Sequence, residues 1–336
     1  MSGRLVFFGE LLIRLTAPGN ELLMQSPSFS LNVGGAEANV AIGLAHLGHD
    51  CAMVSRIPPN ALGRGAVAAV RGAGIDCGAV TPSPGRMGLY FLSVGAGLRS
   101  SEIVYDRAGS SFAASGADDY DWDTLLGSAG LLHLSGITPA LGPRSAEAAL
   151  GAARAAKRLG VPISFDGNYR AMLWEAWDSN PRAILSELIG LADILFGNHR
   201  DLSLVLHRDF SGESEDRRRE AADAGFSVFP NLKLIASTAR HIVSADHHRI
   251  AARVDLRASA YQTPEIDVTG IVDRIGAGDA FAAGVLHAHL AGGNAQAMAE
   301  SGLALTCLKH SLPGDASGFR QVDIDVFHGG GLDVRR

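Results

Sequence analysis

The chain has 336 residues, 47% of them hydrophobic and 19% charged, which describes a globular protein with a full core and excludes disorder along its length. Its 29 Lys and Arg against 35 Asp and Glu give a net charge of −6 with no basic block, so nucleic acid is not expected as a partner. No apolar run reaches the ~18 residues of a membrane span, so no membrane partner is expected either.

Arg4–Leu12 reads as a first strand. Glu10 and Arg14 interrupt the apolar N-terminal stretch and no small-residue cleavage site follows, which argues against a signal peptide. Glu21–Val33 has no helical period. Ala36, Val40, Ala41, Leu44 and Ala45 recur at helical spacing, so a helix is expected over Ala36–Leu47, ended by Gly48. Cys51–Ser55 is strand-like, and Ala61–Arg71 is helical up to Gly72. Met87–Tyr105 alternates through Leu89, Phe91 and Ser93, then turns at Gly95–Gly97. Leu131–Ser135 follows as a strand. Pro143–Leu159 follows as a helix with proline in its first turn and Gly160 past its end. Val161–Phe165, Ile194–Phe196, Arg200–His207 and Leu232–Ala236 continue the alternation. Arg217 to Arg219, set among Glu213, Glu215, Asp216 and Glu220, reads as a solvated helix face.

Strands separated by helices imply an α/β fold with a mostly parallel sheet covered on both faces, and ligands bind such sheets at the carboxyl ends of the strands. The two stretches outside the rhythm, about 15–33 and 87–112, are expected to form a small β appendage able to cover a site. Ordinary surface hairpins are the plainer alternative. Cys51, Cys77 and Cys307 are far apart and make no CxxC pair, so reduced, buried thiols and a cytoplasmic setting are expected.

The segment richest in chemistry is Asp273-Arg-Ile-Gly-Ala-Gly-Asp-Ala-Phe281, followed by an apolar helical run to Leu290. A helix start offers unpaired N–H groups and the positive end of a dipole, and small residues let an anion approach them. A carboxylate in the first turn, Asp279, is out of place beside an anion unless it takes a proton from a hydroxyl attacking a phosphate. A capping Asp after a glycine turn is the structural alternative. Asn32-Val-Gly-Gly-Ala-Glu-Ala-Asn39 is a second glycine-led helix start with polar side chains.

With these two segments in this order, the sequence resembles the ribokinase-like (PfkB) carbohydrate kinases from about Val6 to about Pro313. Finer features resemble the 2-keto-3-deoxygluconate kinase branch: Gly34–Asn39, Gly88-Leu-Tyr90, Tyr105–Gly109, Leu134–Leu141, Phe165–Arg170 with Leu173-Trp174, and His310–Asp315. The resemblance implies a single domain over 1–336, an α/β/α sandwich with a small β-sheet lid. It also implies transfer of the ATP γ-phosphoryl group to a sugar or sugar-acid hydroxyl with Mg2+. Asp279 would be the base, and Gly276, Ala277 and Gly278 the anion hole. Gly35, Ala36, Glu37, Asn39, Tyr90, Tyr105, Arg107, Arg170 and Asp315 would line the acceptor. Asn168, Arg170, Asn198, Ser237, Thr238 and Arg240 would lie near the nucleotide, and Asp201 would help organise magnesium through water. Lid strands that pair between subunits make a homodimer or higher oligomer plausible.

Three departures stand out. Ala236-Ser-Thr-Ala-Arg-His241 has no glycine where many relatives carry a K-x-G-x-x-G-like loop. Asp201 stands where the family has Glu. Ile57-Pro-Pro-Asn-Ala-Leu-Gly63 lacks the usual acidic form and would shift a wall of the sugar pocket. The alternatives are a kinase for another sugar, such as fructose or ribose, or a catalytically weak sugar-binding regulator. The glycine-free segment favours the latter and the intact Gly-Ala-Gly-Asp opposes it.

Overall fold

The computed structural model describes residues 3–331. The apolar N-terminal run divides into β1 (Arg4–Phe8) and β2 (Leu12–Thr16), followed by β3 (Ser30–Gly34) and α1 (Ala36–His46). Then come β4 (Cys51–Ile57), α2 (Ala61–Gly72), β5 (Asp76–Pro82), β6 (Gly88–Ser93) and β7 (Glu102–Asp106). The middle of the chain holds α3 (Trp122–Leu126), β8 (Ala129–Ser135), α4 (Ile137–Ala140), α5 (Pro143–Leu159), β9 (Ile163–Asp166), α6 (Ala171–Trp174) and α7 (Pro181–Leu191). Next are β10 (Ile194–Phe196), α8 (His199–Leu206), α9 (Glu215–Val228), β11 (Leu234–Ser244), β12 (His247–Leu256), β13 (Ala260–Gln262) and β14 (Ile266–Thr269). The chain closes with α10 (Ala277–Leu290), α11 (Ala295–Lys309) and α12 (Gln321–Gly329).

The large sheet runs β13-β12-β11-β10-β9-β8-β1-β4-β5, with β14 on β12. Every pair from β11 to β5 is parallel, and only the β12 pairings are antiparallel. Side chains on a strand alternate between faces. Leu5 and Phe7 therefore join Met53 and the residues of α1, α10 and α11 in one buried layer. Val6 and Phe8 join Trp122, Leu132 and the alanine face of α5 in the other. Helix α5 begins at Pro143 and ends at Gly160 in the left-handed region, as its punctuation predicts.

The second sheet has the order β3-β2-β6-β7. The appendage expected from 15–33 and 87–112 exists, but its central strand is β2, which the sequence reading had merged with β1. Glu21–Ser28 adds no strand, so this half of the appendage is shorter than expected. Ala236–His241 is not a loop. It lies inside β11, paired antiparallel with Arg249–Val254 of β12. Among the described residues no helix is long and apolar enough to cross a membrane, and all three cysteines are free and buried.

Candidate active site

The carboxyl ends of β9, β10 and β11, the starts of α1, α8 and α10, and the inner face of the small sheet surround one cleft of about 1050 Å³. Helices α1 and α10 set its floor. They cross closely because position 43 is glycine: a Cβ there would lie 2.8 Å from that of Ala283. This approach lets Asn39 Nδ2, from α1, donate to Asp279 Oδ2, in the first turn of α10, at 2.6 Å. The two glycine-led signatures therefore meet at one carboxylate.

Gly276 caps α10 at φ 78°, ψ 0°, and a Cβ there would stand 1.6 Å from the carbonyl oxygen of Asp315. Only glycine fits both the conformation and the contact. A Cβ at Gly278 would meet nothing within 4 Å, so the first turn of α10 opens directly on the cleft. Gly276 and Gly278 thus present free helix-start amides beside Asp279, while the Ala277 amide donates to the Arg274 carbonyl at 3.4 Å.

Burial pushes the Asp279 carboxyl up to about 7. The Asn39 amide opposes this, the charges of Asp315 and Glu37 add to it, and Arg170 offsets part of it. Asp166, at the end of β9, is pushed to about 8, mainly by burial and then by the charges of Asp279 and Asp201. Asp201 is raised by burial against the opposing hydrogen bond from Asn198. Three carboxyls with raised pKa values thus line one cleft.

The small sheet supplies Tyr90 and Tyr105, which face each other across β6 and β7, and Arg107 just beyond β7. Tyr90 donates to Asp315 Oδ2 at 2.6 Å. Arg107 is buried and pairs with Glu10 at 2.7 Å, a partner unforeseen in the sequence. Gly35, Ala36, Asp315, Asn168 and Arg170 complete this half of the lining. Glu37 does not line it. Its Oε1 accepts from the Ser135 amide, from Ser135 Oγ at 2.7 Å and from Thr138 Oγ1, which fixes α1 to the end of β8. Facing the sheet rather than the cleft, Glu37 is placed to hold the helix and not to touch an acceptor.

The other half of the cleft holds Asn198, Asp201, Ser237, Thr238 and Arg240. Asn198 caps α8, and Asp201 Oδ2 returns a bond to the Asn198 amide at 2.8 Å, a capping box. Ser237, Thr238 and Arg240 project from a strand paired with β12, in which only alternate residues exchange backbone bonds. Ala252, opposite Thr238, gives its amide to Thr263 Oγ1, so the Thr238 backbone faces away from β12. Asn60 of the departing 57–63 segment caps α2, and no residue of that segment reaches the cleft.

Sequence reasoning missed the ion cluster that ties the small sheet to the start of α10. Arg14 of β2, buried, pairs with Asp273 at 2.7 Å and with Asp315 at 3.0 Å. Asp273 also accepts from the amides of Ile275 and Gly314. The signal was present: two charges, Glu10 and Arg14, inside an apolar run, both buried and paired with residues distant in the chain.

The family model described as pfkB family carbohydrate kinase matches residues 2–320. A 2-dehydro-3-deoxygalactonokinase of Haloferax volcanii is 29% identical over 100% of both chains. A 2-dehydro-3-deoxygluconokinase of Bacillus subtilis is 28% identical over 93% of this chain and 91% of its own. The crystal structure of a 2-dehydro-3-deoxygluconokinase from Thermotoga maritima superposes with a TM-score of 0.92 at 34% identity, covering 98% of this chain and 100% of that one.

Proposed function

The chain belongs to the pfkB family of carbohydrate kinases, and on that premise we propose that it phosphorylates a sugar acid from ATP, converting 2-keto-3-deoxygluconate to 2-keto-3-deoxy-6-phosphogluconate. The observation that carries the reading is the Asp279 carboxylate, held by Asn39 beside the open amides of Gly276 and Gly278. The 2-dehydro-3-deoxygluconokinases among its relatives, 2-dehydro and 2-keto naming the same acid, support the acceptor.

Asp279 takes the proton of the acceptor hydroxyl as that oxygen bonds to the terminal phosphorus and the bond to the departing ADP oxygen breaks. A base at about 7 is matched to neutral pH. Charge grows on the non-bridging oxygens during transfer, and preorganised amides at the start of α10 stabilise it. The small sheet acts as the lid of a single kinase domain, bringing Tyr105 and Arg107 over the acceptor. Arg170 forms no ion pair among the described residues and its Nη1 donates to the Tyr169 carbonyl at 3.0 Å, which leaves its other donors for a carboxylate or a phosphate.

Among the described residues no three His, Cys, Asp or Glu side chains converge as a metal cage. That fits magnesium, which keeps most of its waters. Asp166 and Asp201 are the carboxylates that would hold it through those waters, and it supplies positive charge to the donor phosphates. Asp279→Asn tests the mechanism. Turnover should fall about 10²- to 10⁴-fold with little change in the KM for the sugar acid. Near-normal turnover would remove Asp279 as the base.

A further inference from the structure

Of the seven described arginines that line the cleft, two are neutralised by an acid within the protein. Arg107 is paired with Glu10, and Arg253 with Asp255 at 2.7 Å. Arg240 and Arg274 have no such partner. Neither forms a hydrogen bond through its side chain, nor an ion pair, among the described residues, although both line the cleft. The nearest acid in sequence, Asp273, is already held by Arg14 and by two amides. Burial presses both guanidinium pKa values down, helped by Arg274 at Arg240 and by Arg170 at Arg274, where Asp273 opposes part of the shift. The other groups beside them are His248 and His310, buried imidazoles whose pKa values burial lowers, and so no counter-charge.

Arg274 is also two residues from Gly276, whose helix start opens on the same cleft. Two uncompensated guanidiniums and a set of free amides, gathered in one place, fit a ligand with several negative charges. A single carboxylate would leave most of that positive charge unanswered. We infer that Arg240 and Arg274 form a guanidinium clamp on the polyphosphate chain of the phosphoryl donor. The clamp takes the part of the backbone cradle that the glycine-free strand Ala236–His241 cannot form. Each residue of that segment carries a Cβ that limits close approach to its backbone, so recognition there passes to side-chain charge.

The assignment of the polyphosphate to a donor nucleotide rests on the kinase reading above. The test therefore uses inorganic tripolyphosphate, whose binding needs no acceptor and no turnover. Titration calorimetry would compare the full-length protein with Arg240→Gln, Arg274→Gln, the double variant and Arg274→Lys. Each Gln variant should weaken tripolyphosphate on the order of tenfold, and the double variant on the order of a hundredfold. Arg274→Lys, which keeps the charge, should retain most of the affinity and reports that the fold is intact. In steady-state assays the KM for ATP should rise in parallel while that for the sugar acid stays within about twofold. Tripolyphosphate affinity unchanged in the double variant overturns the clamp, as does a sugar-acid KM that rises in step with that of ATP. Arginine-dependent tripolyphosphate binding without phosphorylation of any sugar acid would support the clamp and discard the proposed acceptor.

Discussion

Taking a carboxylate out of water favours its protonated form, and at Asp279 this effect outweighs the hydrogen bond from Asn39. Two consequences follow at this one residue. A base must be deprotonated, so kcat/KM should rise with pH through an apparent pKa near 7. Asp166, pushed to about 8 partly by the Asp279 charge, titrates with it, so the limb belongs to the coupled pair. The Asn39 amide stabilises the charged form, so Asn39→Ala should move the acid limb to higher pH, read from a pH–kcat/KM profile. The second consequence concerns stability. The folded-state pKa lies above the unfolded value, so the proton's contribution is fully present at low pH and is lost as pH rises through about 7. Asp279→Asn should therefore raise the thermal midpoint at about pH 8 and lose that gain toward about pH 4, even as turnover collapses. Asp279 was legible in the sequence because a carboxylate at a glycine-led helix start is chemically conspicuous. Asp166 was not, because an Asp ending a strand has no local signature, and its neighbours Asp201 and Asp279 come from distant segments.

Helices α1 and α10 act as a pair, since the 2.6 Å bond from Asn39 to Asp279 depends on how closely their axes approach. The Cβ of Gly43→Val would meet Ala283 at 2.8 Å, with two further methyls behind it. Forced separation of packed elements costs roughly 1–3 kcal/mol. Gly43→Val should therefore lower the denaturant midpoint and also reduce kcat, because the base loses its orienting partner. A kcat equal to wild type would show that Asn39 is not needed to orient it. Helical periods and glycine stops placed α1, α5 and the β8–β9 alternation within a residue or two. Strand boundaries were harder. The run from Arg4 to Thr16 is apolar on both sides of Gly9, and nothing local tells that the chain changes sheet there. Ser237 to His241 reads as a polar loop, yet it is a strand because the partner, His247–Leu256, supplies the apolar face. Pairing partners are tertiary information, which is why the strand was missed and the expected loop was not found.

At the scale of the molecule, the small sheet is tied to the start of α10 by charge. Arg14, from the small sheet, is almost wholly buried between Asp273, which leads into α10, and Asp315, which touches Gly276. The cluster links the lid strand to the anion hole, so the small sheet and the floor of the cleft hold a fixed relation. A buried ion pair adds little net stability when compared with an apolar replacement of the whole cluster, but removing one partner strands the others. Arg14→Met leaves two buried carboxylates without the cation that pairs with both among the described residues. The expected loss is roughly 3–5 kcal/mol, measured by urea unfolding. Neutralising the stranded groups in Arg14→Met/Asp273→Asn/Asp315→Asn should recover part of it. The triple variant should nevertheless stay poorly active, because Tyr90 and the 273–278 segment would no longer share an anchor. If Arg14→Met unfolds at the wild-type midpoint, the small sheet and the start of α10 are not coupled through this cluster. Hydrogen exchange then gives the independent check: Arg14→Met should speed exchange in β2 and in residues 273–278 together, and acceleration confined to β2 would show that the link ends within the small sheet.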